Sequence, residues 1–273
     1  MLTIVTDSTA YYKKDEAAAG HIKVVPMGFS VDGKTFHETF SDQNGSFESL
    51  IRSGENFATS HPNPAAYLSC FEEELAAGHE VLCVTVSSRL SGAYSAAHMA
   101  AKQTGSEKVA VFDSRLTAGG LRLLIKQAGR LAAQNLPLPD IIRGLIPLRD
   151  KIHIVFSVDD MAPLRNSGRI GFVRQGVGTI LNMRPILLCT DGVVVYDSVA
   201  RGTLDMIKKM MAKVPEHVGE IIINYIDNSR AAANLYNVIA AKLPGVPISL
   251  QKVGPVLGIH LGLGAVGVSY ITK

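Results

Sequence analysis

Several hydroxyl-bearing residues follow an apolar stretch in the first third of the chain. The apolar residues 81–86 end at Ser87, and Ser88 and Ser91 follow before a helical pattern begins near Ala93. In open α/β sheets, ligands bind beyond the carboxyl ends of the strands, where a helix N-terminus presents free N–H groups and partial positive charge. The segment therefore predicts an anion site, although the same hydroxyls could be ordinary helix caps.

A second pair of hydroxyls precedes another predicted helix. Thr59, Ser60 and His61 lie just before the helix expected to begin near Pro64. Their side chains can cap that helix or donate hydrogen bonds to an anion. If both helix N-termini lie at the same edge of the fold, they could bind one carboxylate or phosphate together.

Cationic and imidazole side chains occur in three segments of the second half. Arg165 and Arg169 lie in a short glycine-containing connection, and Arg201 ends a strand-like run just before Gly202. Guanidinium groups bind carboxylate and phosphate in a planar, two-point geometry. His260 lies alone in an apolar, glycine-rich turn, where a structural histidine is the alternative to a functional one.

The composition restricts the classes of function. The chain has 273 residues, of which 47% are hydrophobic and 19% are charged, and its net charge is +3. Because Lys and Arg are scattered along the chain, a nucleic-acid partner is not expected. No apolar run reaches the roughly 18 residues of a membrane span, and no secretion signal is recognised, so we expect a cytoplasmic protein.

Motifs for independent nucleotide or metal chemistry are missing from the sequence. There is no GxxxxGK[ST] phosphate loop, no HExxH and no GxSxG, and the eight histidines show no i, i+4 pairing. We therefore expect neither a cofactor nor a metal site. Cys70, Cys83 and Cys189 lack the spacing of metal ligands, which predicts reduced cysteines with a packing role.

Alternating strand-like and helix-like stretches must position these side chains. In residues 1–154 the alternation predicts an α/β domain with a doubly wound, mainly parallel sheet. Asp32-Gly33 predicts an antiparallel hairpin attached to that sheet, and Asp191-Gly192 predicts a longer hairpin. Residues 155–273 have the pattern of an α+β domain, so a ligand cleft is expected between the two domains.

Six segments together resemble, in their order, the signature of the DegV family, which includes the fatty-acid-binding subunits of bacterial fatty acid kinase. They are residues 5–9 (VTDST), 59–62 (TSHP), 87–94 (SSRLSGAY), 166–170 (NSGRI), 181–186 (LNMRPI) and 254–256 (GPV) with His260. The resemblance covers the whole chain. It implies a DegV-like fold with an N-terminal doubly wound domain, a C-terminal α+β domain and one long-chain fatty acid in a buried tunnel between them.

The resemblance also implies a partner. An ATP-binding fatty acid kinase subunit would phosphorylate the bound carboxyl group to an acyl phosphate for phospholipid metabolism. This chain would then be a lipid-binding subunit without catalytic activity of its own, free to make transient contact with a membrane surface.

Residue roles follow from the same resemblance. Thr59 and Ser91 match the residues that hold the carboxylate, and Arg201 and His260 match those that assist phosphoryl transfer. The full set of expected ligand-binding residues is Thr59, Ser60, His61, Ser88, Ser91, Gly92, Arg169 and His260. At position 61, family members usually have Gln, so hydrogen bonding at the headgroup can differ here.

Two other classes of function remain open from the sequence. A small-molecule hydrolase or transferase could use Ser91 as nucleophile and His260 as base, and it would need a third, acidic group to orient the imidazole. A structural or regulatory interaction module would bind no small ligand. An apolar tunnel would favour the lipid-binding interpretation over both.

Overall fold

The structure, a computed structural model, describes residues 1–170 and 183–273, so residues 181 and 182 of the LNMRPI segment lie outside the described residues. The described strands are β1 (Leu2–Asp7), β2 (Ile22–Val25), β3 (Met27–Val31), β4 (Lys34–Glu38), β5 (Phe57–Ser60), β6 (Glu80–Thr85), β7 (Val109–Asp113), β8 (Ile152–Ser157), β9 (Met183–Thr190), β10 (Val193–Arg201), β11 (Val218–Tyr225), β12 (Ile248–Lys252) and β13 (Val266–Thr272). The described α-helices are α1 (Lys14–Ala19), α2 (Phe47–Ser53), α3 (Pro64–Ala76), α4 (Ala93–Thr104), α5 (Ala118–Ala132), α6 (Leu138–Asp150), α7 (Ala162–Asn166), α8 (Gly202–Met211), α9 (Ser229–Lys242) and α10 (Pro255–Leu261).

A four-stranded parallel sheet forms the N-terminal half, in the order β2-β1-β6-β7. In strand β6, successive side chains point to opposite faces of the sheet, and each face packs against different helices. Val81 and Cys83 pack with α3 and α4, whereas Leu82 and Val84 belong to the core that includes α5. Helices therefore cover both faces, and the expected doubly wound domain is confirmed.

A six-stranded sheet forms the second half, in the order β10-β9-β8-β13-β11-β12. Its strand pairs are antiparallel except for the parallel pair β11–β12. Helices α8 and α9 pack on this sheet, as expected for an α+β domain. The division expected after residue 154 falls within β8, the third strand of this sheet.

Helix α5 packs between the two large sheets and contacts β1 and β6 on one side and β8, β11 and β13 on the other. Its first residues include Gly119 and Gly120. A Cβ on Gly119 would lie 2.5 Å from Oδ1 of Asn224, and one on Gly120 would lie 2.6 Å from Cδ1 of Ile154. The glycines thus allow the helix to approach the six-stranded sheet closely, a role that the sequence pattern did not indicate.

Both predicted hairpins are confirmed. The residues Asp32, Gly33, Asp191 and Gly192 have positive φ angles between 48° and 80°, as two-residue turns of this kind require. The first hairpin was expected to be attached to the parallel sheet, but its strands do not pair with that sheet. It pairs with β5 instead and forms a separate three-stranded sheet in the order β4-β3-β5, because the free edge of β3 is taken by β5.

The segment around His260 is a helix, not the expected glycine-rich turn. Pro255 is the first residue of α10, a position where its missing N–H has no cost, and Gly262 ends the helix at φ +77°. Among the described residues, none of the helices has the length and hydropathy needed to cross a membrane.

Candidate ligand-binding site

A cavity of about 150 Å³ lies between the carboxyl ends of the parallel strands and the six-stranded sheet. Thr9, Val86 and Thr117 line it just after β1, β6 and β7, which is the edge where α/β folds bind ligands. Most of its wall is apolar, with contributions from Met27, Ile154, Phe156, Val194, Val256 and Leu261. Because these residues come from both halves of the chain, the cavity exists only in the folded molecule.

The two predicted hydroxyl clusters meet at this cavity. Its lining includes Thr59, Ser60 and His61 at the end of β5, and Ser91 and Gly92 at the start of α4. Arg169 and His260 line it too. Seven of the eight expected ligand-binding residues therefore lie around one space, and their role in binding stays a prediction.

Thr59 and His260 contact each other directly. Oγ1 of Thr59 lies 2.8 Å from Nε2 of His260, across 201 residues of sequence. Burial lowers the pKa of His260 to about 4, and the positive charge of Arg169 contributes in the same direction. The imidazole is consequently neutral near pH 7. Its Nδ1 is buried and has no hydrogen-bond partner within the described residues.

Ser91 and His61 adjoin the N-terminus of α4. Oγ of Ser91 accepts a weak hydrogen bond from the backbone N–H of Ala93 at 3.3 Å. Ser91 therefore caps the helix weakly, and its hydroxyl can still donate its proton to a ligand. The ring of His61 packs against Gly92, where a Cβ would lie 2.6 Å from Cδ2 of that ring. Because the carbonyl of Pro62 can only accept, Nδ1–H of His61 donates to it at 2.9 Å.

Arg169 is partly buried beside the cavity. Its guanidinium donates to the backbone carbonyl of Leu90 at 3.4 Å and also to that of Ser167. These bonds join the turn before α4 to the segment after α7. The arginine thus supplies positive charge near His260 while its own position is fixed by the backbone.

Two expected functional residues do not line the cavity. Ser88 bonds to Asp113 instead, through its backbone N–H at 3.0 Å and its hydroxyl at 2.5 Å. Arg201 ends β10 as expected but is exposed, and its backbone N–H donates to Asp205 at 2.8 Å. Their proposed roles stay predictions.

The sequence did not single out Thr117, Cys189 or Asn224, which also line the cavity. Thr117 precedes α5, Cys189 lies in β9 and Asn224 lies in β11. A lone Asn inside the apolar run of β11 was the one available signal. Asn224 donates to Gln251 at 2.7 Å, and Gln251 donates to the carbonyl of Ala10 at 2.9 Å, so this polar chain joins the two halves beside the cavity.

The hydrolase alternative gains no support from this geometry. His260 forms its hydrogen bond with Thr59, the hydroxyl of Ser91 forms its own with the backbone N–H of Ala93, and the described residues provide no carboxylate at Nδ1 of His260. A nucleophile and base acting together need mutual hydrogen bonding and an orienting group. Within the described part of the chain, no group of three or more His, Cys, Asp or Glu side chains is placed to hold a metal ion.

Comparisons with known proteins agree with the architecture. A sequence model of the DegV family, described as a family of uncharacterised proteins, matches residues 1–273. A DegV domain-containing protein of Listeria monocytogenes is 30% identical over 280 residues, which cover 100% of this chain and 99% of that protein.

Two solved structures have the same fold over their full lengths. One is a DegV family protein from Thermus thermophilus described by its fatty acid binding, with a TM-score of 0.89, 26% identity and coverage of 100% of this chain and 99% of that one. The other is the fatty acid kinase B3 protein of Streptococcus pneumoniae loaded with linoleic acid, with a TM-score of 0.86, 19% identity and 100% coverage of both chains. On the full-length family match and the identity to the Listeria protein, this chain belongs to the DegV family.

Proposed function

We propose that this protein binds one long-chain fatty acid in the cavity, with the acyl chain against the apolar wall and the carboxylate near Thr59 and Ser91. The observation that carries the proposal is the cavity itself, in which a mostly apolar wall ends at two hydroxyl groups and a neutral imidazole. The fatty acid binding of the Thermus thermophilus relative supports it.

The energetics of such a ligand fit this wall. Each buried methylene contributes about 0.8 kcal/mol, so the acyl chain would supply most of the affinity. A carboxylate left unpaired in the same place would cost several kcal/mol or more. The hydroxyls of Thr59 and Ser91, together with the N-terminal end of the 12-residue helix α4, are suited to satisfy that charge.

We further propose that the bound carboxylate is presented to an ATP-binding kinase subunit. A carboxylate oxygen would attack the γ-phosphorus of ATP, ADP would leave, and an acyl phosphate would form. The similarity to the Streptococcus pneumoniae fatty acid kinase protein suggests this role. Hydroxyls and a neutral His260 would leave the carboxylate more nucleophilic than a tight guanidinium pair, and the exposed Arg201 is available to the partner's phosphates. The cytoplasmic location and a role in phospholipid metabolism stay expectations.

Mass spectrometry of the organic extract from purified, denatured protein tests the binding proposal. We expect one fatty acid per chain, and its loss from a variant in which Ala265, a buried residue of the cavity wall, is replaced by Trp. The exposed substitution Ser95→Ala on α4 serves as the control. Parent protein that carries no fatty acid and takes up none when oleate is added would refute the proposal.

A further inference from the structure

Glu38 is a fully buried carboxylate to which the proposed function assigns no part. It is the last residue of β4 and is 0% exposed. Its Oε1 accepts a hydrogen bond from the hydroxyl of Ser8 at 2.8 Å, and its Oε2 accepts one from the backbone N–H of Val256 at 2.9 Å. Ser8 follows the parallel strand β1, whereas Val256 lies in the first turn of α10, so one side chain joins three separate parts of the fold.

Helix α10 is held at both of its ends by the three-stranded sheet. Strands β4 and β5 flank β3, and they carry Glu38 and Thr59 respectively. Glu38 binds the helix at Val256, and Thr59 contacts His260, which lies four residues later and therefore one helical turn further along. The position of α10 on this sheet thus determines whether the imidazole reaches Thr59.

Gly254 allows the carboxylate to approach the helix. A Cβ at this position would lie 2.4 Å from Oε2 of Glu38, 2.8 Å from Nδ2 of Asn44 and 2.9 Å from Cε1 of Tyr11. The φ angle of Gly254 is −90°, so space and not backbone conformation requires glycine here.

The surroundings of Glu38 contain no neutralising cation within the described residues. Asp7 and the hydroxyl of Tyr11 face it from the segment that includes β1, and Asn44 faces it from the loop before α2. Glu48 and Lys252, the charged residues of the adjoining segments, pair with each other. Burial raises the pKa of Glu38 to about 7, while the hydrogen bonds from Val256 and Ser8 oppose that increase. The carboxyl group is therefore held by directed hydrogen bonds and not by an ion pair.

We propose that Glu38 is a positioning residue, which fixes the start of α10 through Ser8 and Val256 and thereby sets the contact between His260 and Thr59. Its effect on ligand affinity rests on the proposed function. Its effect on the imidazole does not, because Thr59 and His260 contact each other through their own side chains.

Glu38→Ala and Glu38→Gln separate positioning from a general contribution to stability. The amide of Gln can still accept from Val256 and can donate to Ser8, whereas Ala can do neither. The matched control is Glu74→Ala, which removes a carboxylate that is 5% exposed and accepts from Thr3 at 2.6 Å at the opposite end of the parallel sheet.

The first measurement is the set of imidazole ¹⁵N chemical shifts of His260 in ligand-free, full-length protein, assigned with His260→Gln. We expect Glu38→Ala to move these shifts towards the values of a free imidazole, and Glu38→Gln and Glu74→Ala to leave them as in the parent. Unchanged shifts in a folded Glu38→Ala protein would overturn the proposal. If that variant does not fold, Gly254→Ala, whose Cβ would displace the carboxylate from Val256, must produce the same change.

The second measurement is the dissociation constant for oleate. We expect Glu38→Ala to raise it about tenfold, equivalent to loss of roughly one hydrogen bond to a charged group, and Glu38→Gln to keep it within about twofold of the parent. Equal losses of oleate affinity in Glu38→Ala and Glu38→Gln would contradict positioning through Val256. If the parent itself binds no oleate, the proposed function fails, whereas the ¹⁵N result still decides the role of Glu38.

Discussion

At the scale of single residues, the groups proposed to hold the carboxylate are uncharged and polar. Thr59 and His260 form a 2.8 Å contact, and Ser91 lines the same cavity from the start of α4. Hydroxyls can donate to a carboxylate without the desolvation cost of a second buried charge. The affinity for the headgroup should therefore respond strongly to loss of these hydroxyls.

We expect Thr59→Ala and Ser91→Ala to weaken fatty acid binding by about 1.5 to 3 kcal/mol each, as for hydrogen bonds to a charged acceptor. Calorimetric titration with oleate measures the change. Thr35→Ala on β4 and Ser95→Ala on α4 are matched controls, because both remove exposed hydroxyls from the same sheet and the same helix. If the site variants bind as tightly as these controls, the carboxylate lies elsewhere.

The neutral state of His260 predicts a specific loss of stability in acid. Its pKa is lowered from 6.5 to about 4 by burial and by Arg169, so the unfolded chain takes up a proton first as the pH falls. The contribution of the neutral His260 imidazole to the free energy of unfolding is complete above pH 6.5 and is lost as the pH falls to about 4. The loss is on the order of 3 kcal/mol.

The difference in unfolding free energy between the parent and His260→Gln should therefore shrink over this pH interval. Urea denaturation at several pH values measures it. A difference that stays constant with pH would show that His260 titrates normally in the folded protein.

At the scale of elements, the tip of the second hairpin packs against the turn that precedes α4. The hydroxyl of Ser87 donates to the carbonyl of Gly192 at 2.8 Å. A Cβ on Gly192 would lie 2.4 Å from that hydroxyl oxygen, whereas nothing lies within 4 Å of the same position on Gly33, the matching residue of the first hairpin. The hairpin therefore helps to hold the two halves together beside the cavity.

We expect Gly192→Ala to destabilise the protein more than Gly33→Ala. Both substitutions place alanine at φ near +80°, which costs about 1 to 2 kcal/mol. In Gly192→Ala alone, crowding against Ser87 should increase the loss in free energy of unfolding by about 1 to 3 kcal/mol. Urea unfolding of the two variants measures the difference, and equal losses would argue against close packing of the hairpin tip.

At the scale of the whole molecule, the cavity is formed by two sheets that meet around α5 and a short polar chain. Asn224, Gln251 and the carbonyl of Ala10 connect the six-stranded sheet to the N-terminal half. A ligand enclosed between these parts binds the folded state only. Ligand binding and folding stability should therefore be coupled.

Oleate at about 100 times its dissociation constant should stabilise the protein by roughly 2.7 kcal/mol.

Arg201→Ala should retain this stabilisation, because Arg201 is exposed and lies outside the cavity lining. With the kinase subunit and ATP, however, the same variant should form acyl phosphate at least about tenfold more slowly, since cations near the transferred phosphoryl group promote the reaction. Lys34→Ala, at an exposed hairpin tip, is the control, and full turnover in Arg201→Ala would remove its proposed role.

The sequence by itself determined the local structure and the chemical types of the site. The alternation of strand-like and helix-like stretches predicted a mainly parallel sheet covered by helices, and Asp-Gly pairs predicted both hairpins, because these signals depend on neighbouring residues only. The hydroxyl clusters that contain Thr59 and Ser91 could be recognised because a hydroxyl before a helix has few chemical roles, and the resemblance to the DegV family picked these two residues within them. The ordered motifs of the DegV family then indicated which of those roles to expect.

Only the tertiary structure decided which of these residues meet. The contact between Thr59 and His260 spans 201 residues, and no local pattern encodes a distance of that kind. The wall positions of Asn224 and Cys189 depend on which face of β11 and β9 turns towards the other half of the molecule, and this is set by packing around α5. The same holds for Glu38, which in the sequence is an ordinary acidic residue at the end of a strand. Its burial and its hydrogen bond to the backbone of α10 exist only when the strand and the helix have packed together.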